Sequence, residues 1–250
     1  MYKPTYRTGR NGVPILGKNE IDEIAENFIR DFCPGAMRTP MKIDIDSFAQ
    51  NYLGLKQDFQ YLSHNGVYLG MTVFNDTDKV VIFNPETWEA DYISVEARTI
   101  IIDNNLLEEN QEHRYRYTMG HECGHDIYHT QYFGYAPDQM SFLEEREPMI
   151  RCRIVNTNGN KKPAVWDDKS TMEWQANYMS SALLMPKSMV NKIVKEEDML
   201  RNKVFRSLNL SSDELTIIRI SRTFNVSEEA ARYRLQGLGL IENNSQFSIQ

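Results

Sequence analysis

One short segment of the chain combines histidines and a glutamate at a spacing that suits metal-assisted hydrolysis. His121 and His125 are four residues apart, and Glu122 directly follows the first of them in the sequence HECGH. Residues four apart lie one turn above each other on an α-helix, so both imidazoles would point the same way and grip one ion. Glu122 would then take a proton from a water molecule that attacks a carbonyl group. We predict Zn²⁺, because imidazole binds zinc well and zinc brings no redox chemistry.

A catalytic zinc ion needs a third protein ligand and one open position. His129 lies on the same predicted helix, but two steps of four residues carry it about 12 Å along the axis from His121, so we expect a packing or helix-end role. Glu173 heads a later predicted helix, and Asn177, one turn on, would accept a hydrogen bond from a ligating histidine. A capping box between Ser170 and Glu173 is the alternative role for this glutamate. Three other glutamates remain candidates for the third ligand: Glu144, Glu145 and Glu147.

The surrounding sequence predicts the elements that position these residues. Apolar spacing and terminating Pro or Gly residues predict helices over 19–33 and 46–53. Short β-branched and aromatic runs predict strands over 67–74, 79–83, 92–95 and 98–102, with a hairpin turn at 75–78. The HECGH helix is predicted over 112–129, with Gly120 and Gly124 leaving room for close packing beside the site. A ribbon is predicted within 131–169, and helices follow from Ser170 onward, with Ser227 capping the last of them.

Composition limits the function classes that the chain fits. Its 250 residues carry a net charge of −7 and a pI near 5.3, which argues against a general nucleic-acid binder. The three cysteines, Cys33, Cys123 and Cys152, are too few and too widely spaced for a disulfide framework. Neither a signal peptide nor an apolar run of about 18 residues is visible. We expect a cytoplasmic protein that does not enter the membrane.

Longer motifs resemble a known family. The segments RYTMGHECGHDIYH (116–129), EWQANYMSSALLMP (173–186) and FNVSEEAARYRLQGLGLI (224–241) are similar, in order and spacing, to the ImmA/IrrE family of zinc metallo-endopeptidases. The resemblance implies that His121, His125 and Glu173 bind zinc and that Glu122 is the catalytic base. It also implies a protein substrate, since family members typically cleave helix-turn-helix repressors of mobile elements or stress responses.

Together these features predict an α+β, zincin-like fold. A small, mostly antiparallel sheet would pack on the HExxH helix, and an edge strand, 98–102, would border the cleft and pair with an extended substrate. Residues 1–18 are predicted to form an extended arm, 19–186 the metallopeptidase domain and 187–250 a helical C-terminal lobe.

The C-terminal segment offers an alternative function. Residues 211–241 resemble a helix-turn-helix, with Asn225 at the turn, which would suit a DNA-binding or metal-sensing regulator that does not hydrolyse peptides. Residues 211–242 contain four arginines, five acidic residues and no lysine, whereas a recognition module is normally basic. We therefore expect these helices to complete the core and to present Arg232, Tyr233 and Arg234 to solvent, with no direct contact to nucleic acid.

Overall fold

The computed structural model describes residues 1–134, 148–153, 167–204 and 212–242, without the side chains of 200–204 and 212. Strands and helices follow one another along this mixed α+β chain. The strands are β1 (Arg7–Thr8), β2 (Pro14–Ile15), β3 (Lys56–Gln60), β4 (Tyr68–Val73), β5 (Thr77–Asn84), β6 (Glu89–Val95), β7 (Thr99–Asp103) and β8 (Met149–Arg153). The α-helices are α1 (Lys18–Phe32), α2 (Ile45–Ser47, continued by a π-helical turn over Phe48–Tyr52), α3 (Glu112–Phe133), α4 (Asp168–Leu184), α5 (Lys187–Val204), α6 (Ser212–Phe224) and α7 (Glu228–Gly237).

A four-stranded sheet lies at the centre of the fold, with the strand order β3-β7-β4-β8. Strands β3 and β7 are parallel, whereas β4 is antiparallel to both β7 and β8. Strands β5 and β6 form a separate antiparallel hairpin. The four strands predicted between residues 67 and 102 are all present, and β8 lies in the predicted ribbon, the rest of which falls outside the described residues. The short pair β1–β2 was not predicted. Strand β3 was missed because its sequence, KQDFQ, lacks the β-branched pattern of a strand.

Two details of the predicted sheet are wrong. The turn at 75–78 does not join a hairpin, because β4 pairs with β7 and β8 while β5 pairs with β6. Residues 98–102 do not form an edge, because β7 is hydrogen-bonded to β3 on one side and β4 on the other. Among the described strands of this sheet, β8 and β3 are the edges.

Both faces of the central sheet are covered, as the alternation along β7 shows. Ile100 and Ile102 join the main hydrophobic core, which includes Met119 and Cys123 of α3. Ile101 points the other way, into a smaller core beneath the β5–β6 hairpin. Successive strand residues face opposite sides of a sheet, so one fully buried strand serves two cores. The HECGH helix is thereby fixed against one face of the sheet.

Helices α3 and α4 pack closely because two glycines remove the side chains between them. A Cβ atom on Gly120 would lie 2.7 Å from Ser180 Oγ, and one on Gly124 would lie 3.0 Å from Ala176 Cα. Any larger residue would force the helices apart. The prediction that these glycines permit close packing beside the site is confirmed.

The C-terminal helices complete the main core. Ile217, Phe224 and Leu235 are fully or almost fully buried within it, and Ser227 caps α7 by accepting the Ala230 N–H. Asn225 has a φ of 53°, as the predicted left-handed turn requires.

One feature of these helices differs from prediction. Arg232 and Tyr233 are exposed, but Arg234 is only 2% exposed. Its guanidinium lies 2.6 Å from the carboxylate of Asp22 on α1. The sequence suggested a solvent-facing arginine because it gave no sign of the distant buried aspartate that pairs with it.

Helix α1 packs its apolar face onto the rest of the fold. Ile21, Ala25, Phe28 and Ile29 are buried on one face of this helix, as the apolar spacing predicted. The main core contains residues from both sides of position 186, so the division at 186 stays a prediction. No helix in the described ranges is both long and apolar enough to cross a membrane.

Candidate metal centre

Helix α3 places two imidazoles side by side in the protein interior. His121 and His125 are 1% and 0% exposed, and their Nε2 atoms are 2.9 Å apart. Two buried ring nitrogens at this distance either share a proton or face a common cation. The regular helix accounts for their alignment, since a four-residue step returns a side chain nearly to the same direction.

Helix α4 brings Glu173 to the same point. Its carboxylate oxygens lie 3.5 Å from His121 Nε2 and 3.6 Å from His125 Nε2. The helix begins at Asp168, and Asp167 is its N-cap because its side chain accepts the Ser170 N–H. The alternative in which Ser170 and Glu173 form a capping box is therefore wrong, and the Glu173 side chain is available to the histidines.

The spacing of these three groups fits a tetrahedral ion. Zinc bonds of about 2.0–2.2 Å place neighbouring ligand atoms about 3.3 Å apart, and the observed separations run from 2.9 to 3.6 Å. Within the described residues, Glu173 Oε1 is buried without a hydrogen-bond partner, as a ligand atom would be. The Glu173 side chain is 26% exposed, so solvent can reach the cluster at this residue.

Hydrogen bonds behind the histidines orient both rings. His121 Nδ1 lies 3.1 Å from Asn177 Oδ1, a carbonyl oxygen that only accepts. The ring therefore carries its proton on Nδ1 and directs the Nε2 lone pair towards Glu173. Asn177 thus lies where the sequence placed it, one turn beyond Glu173.

A longer chain of hydrogen bonds orients His125. Gln175 donates from Nε2 to the Pro14 carbonyl at 2.7 Å, so its Oε1 accepts from His129 Nε2 at 3.0 Å. His129 Nδ1 must then accept, and its partner at 2.8 Å is His125 Nδ1. This arrangement protonates His125 on Nδ1 and frees its Nε2 lone pair. His129 is fully buried, so its predicted packing role includes aligning its neighbour.

Glu122 lies between α3 and strand β4. Its Oε2 accepts a 2.6 Å hydrogen bond from the Thr72 hydroxyl, and its Oε1 is buried with no partner among the described residues. A Cβ atom at Gly70 would lie 2.6 Å from Oε1, so glycine is required for this approach. Burial raises the pKa of Glu122 to about 7, although nearby His121 and the Thr72 hydrogen bond lower it. A carboxylate with that pKa is well matched to proton transfer near neutral pH.

The two histidines differ in their affinity for protons. Burial lowers the pKa of His125 well below its usual value, and the neighbouring His121 and His129 lower it further. Burial also opposes the charging of His121, but Cys152, Glu173 and Glu122 raise its pKa well above normal overall. Because a ligating imidazole must be neutral, metal binding would displace the proton from His121.

Some residues of the cluster were not anticipated from the sequence. Thr72, Gly70, Gln175 and Cys152 all approach it from distant parts of the chain, and no local spacing signals their contacts. Glu144, Glu145 and Glu147 lie outside the described residues.

The sequence also offers Tyr128, Tyr178 and His113 as groups that could stabilise an oxyanion, but each has another partner. Tyr178 donates to Asp22, His113 bonds Asn225, and the Tyr128 hydroxyl contacts Met179 Sδ. None of these partners belongs to the cluster of His121, His125 and Glu173.

Comparison with known protein families finds a match for part of the chain. Residues 154–236 match the family model Peptidase_M78, described as the IrrE N-terminal-like domain. The match supports a metallopeptidase, and the small sheets and seven α-helices of the described residues are compatible with a zincin-like fold.

The match also confirms the resemblance to the ImmA/IrrE family. Its range includes Glu173 and Asn177 but not His121 or His125. No curated protein matches the chain.

Proposed function

We propose that this chain is a zinc-dependent endopeptidase that hydrolyses a peptide bond in a protein substrate. His121, His125 and Glu173 hold the ion, Glu122 is the general base, and Asn177 orients His121. The observation that carries the proposal is the convergence of two imidazoles and one carboxylate on two packed helices, with each imidazole Nε2 within 3.6 Å of the other Nε2 and of one Glu173 oxygen.

When bound, zinc supplies Lewis acidity that polarises a carbonyl and lowers the pKa of a water molecule to about 7. The protein contributes the rest of the chemistry. Glu122 Oε1, free of hydrogen-bond partners among the described residues, accepts the proton of the attacking water and later delivers it to the leaving amine nitrogen. Thr72 holds Oε2 at 2.6 Å, so the carboxylate presents one fixed oxygen to the reacting atoms. General-base assistance of this kind contributes about 10²- to 10⁴-fold in rate.

Strand β8 is the best candidate for the element that binds the substrate backbone. It is an edge of the sheet among the described strands, and it lies beside β4, which carries Thr72 and Gly70. An extended peptide paired with this edge would form main-chain hydrogen bonds with β8, and these bonds do not depend on the peptide's sequence. We therefore assign to β8 the role of pairing with the substrate backbone, which the sequence had suggested for residues 98–102.

The substrate is proposed from the family resemblance to be a helix-turn-helix transcriptional repressor of a mobile element or a stress response. A cytoplasmic location accords with that substrate and with the three free cysteines. Direct nucleic-acid binding is not part of the proposal, because α6 and α7 bury their apolar faces and Arg234 in the protein interior.

Incubation with candidate repressors tests the proposal. The zinc-loaded protein is mixed with helix-turn-helix proteins encoded beside its gene, with and without EDTA, and cleavage is mapped by mass spectrometry. We expect one repressor to be cut only without chelator. Glu122→Gln should bind zinc as tightly as the wild type yet lose about 10²- to 10⁴-fold in rate. The exposed Glu109, near the start of α3, provides the matched control Glu109→Gln. Wild-type cleavage by Glu122→Gln would refute the assigned mechanism.

A further inference from the structure

Strand register places Cys152 against the metal centre. Cys152 lies directly opposite Gly70 in the antiparallel β4–β8 pair, and directly opposed residues project from the same face of a sheet. That face is the one covered by α3, since a Cβ on Gly70 would lie 2.6 Å from Glu122 Oε1. Cys152 is 8% exposed, so its sulfur is held in this interior space.

The three cysteines occupy different environments. Cys123 belongs to the main hydrophobic core, and Cys33 packs against that core. The sulfur of Cys152 instead lies within 4.8 Å of ligand atoms of both His121 and Glu122. Its other contact is a 3.9 Å approach to the Arg153 carbonyl. Cys152 therefore faces an imidazole and a carboxylate rather than apolar side chains.

A second observation marks this space as a ligand position. Glu122 Oε1 is fully buried and has no hydrogen-bond partner in the described parts of the chain. The cluster of His121, Glu122 and Cys152 shares only His121 with the cluster of His121, His125 and Glu173. The sulfur therefore lies on the Glu122 side of the ion's position, where the attacking water belongs, and it must move towards His125 and Glu173 to bind the ion.

We propose that Cys152 is a fourth protein ligand of the ion and holds the enzyme in a latent state. The inference rests on the proposed function. On ligation the Cys152 S–H bond would break and Glu122 Oε1 would receive the proton, while the sulfur would occupy the ligand position otherwise open to water. Zinc with four protein ligands has no open position, as in structural sites. Peptide hydrolysis then requires the sulfur to withdraw, which a substrate bound along β8 is placed to promote.

Cobalt substitution tests this ligation without a substrate. The metal-free, full-length protein is loaded with one equivalent of Co²⁺, and absorption spectra are compared for the wild type, Cys152→Ser and the control Cys33→Ser. We expect a thiolate-to-cobalt charge-transfer band in the near ultraviolet for the wild type and Cys33→Ser. The band should be lost in Cys152→Ser, while the visible ligand-field bands of cobalt persist in all three proteins.

The outcomes separate this inference from the proposed function. A wild-type spectrum with ligand-field bands but no charge-transfer band, or a charge-transfer band that survives in Cys152→Ser, overturns the role of Cys152 alone. Absence of both kinds of band from the wild type overturns the metal centre itself. Circular dichroism checks folding, and Cys152→Ala replaces the serine variant if that variant unfolds.

Alkylation provides an independent readout. Iodoacetamide labelling mapped by mass spectrometry should show that Zn²⁺ protects Cys152 and leaves the labelling of Cys33 unchanged. Equal labelling of Cys152 with and without zinc would contradict the inference.

Discussion

Gly70→Ala is expected to disable the proposed general base, Glu122, while leaving the proposed metal ligands in place. The added Cβ would lie 2.6 Å from Glu122 Oε1 and 2.8 Å from Thr118 Cγ2. Ordinary contacts need about 3.5 Å, so the carboxylate must move by about 1 Å. Its Oε2 is held by Thr72 at 2.6 Å, which makes that movement costly. A misplacement of about 1 Å reduces catalysis by about 10²-fold.

The assay measures cleavage of a proteome-derived peptide library by the zinc-loaded protein, alongside zinc content by atomic absorption. Gly70→Ala should retain one zinc per chain and lose about 10²-fold in rate. Gly35→Ala is the matched control, because a Cβ at Gly35 meets nothing within 4 Å. Full activity in Gly70→Ala would refute the assigned position of Glu122. Loss of zinc with activity would show that Gly70 supports the ligands instead.

Three further outcomes are expected. Gln175→Leu should weaken zinc binding in a chelator competition by about 10- to 100-fold, because it removes the acceptor that orients His129. Arg234→Met should lower the free energy of unfolding in urea by about 3–5 kcal/mol, since it leaves Asp22 buried without its 2.6 Å partner, whereas the exposed Arg232→Met should change little. Burial lowers the pKa of His129 to about 4, so the unfolded metal-free chain binds the proton at this residue first; the stability of the wild type relative to His129→Gln should fall as the pH drops from about 6.5 to 4, and a difference that does not change with pH would contradict this.

Local patterns predicted the helices of the site well. The apolar spacing of α1 and the HECGH sequence of α3 follow from residues close together in the chain, whereas α4 begins at Asp168, two residues before the predicted start at Ser170. The same kind of reasoning raised Glu173 as one candidate ligand among several, and the motif resemblance singled it out. Helices can be predicted from short segments because their backbone hydrogen bonds join residues that are close together in the chain.

Strand pairing was harder to predict, because it depends on partners far along the chain. The polar β3 gave no sequence signal, yet it pairs with β7 and converts that strand from an edge into an interior position. The turn at 75–78 resembled a hairpin, although β4 pairs with β7 and β8 instead. The two-sided burial of β7, with three consecutive isoleucines, is what fixes it inside the sheet.

The supporting contacts of the site were invisible for the same reason. Gln175 joins His129 to the Pro14 carbonyl, 161 residues away in sequence. Gly70 and Cys152 reach the proposed metal centre only because β4 and β8 pair in a particular register. Single residues at such separations carry no pattern, so only the folded arrangement reveals them.

The most direct test of the account is anomalous diffraction at the zinc edge from crystals of the zinc-loaded protein. We predict one strong peak per chain, about 2.0–2.2 Å from His121 Nε2, His125 Nε2 and a carboxylate oxygen of Glu173. A peak bound elsewhere, or no peak at these three residues, would contradict the proposed metal centre.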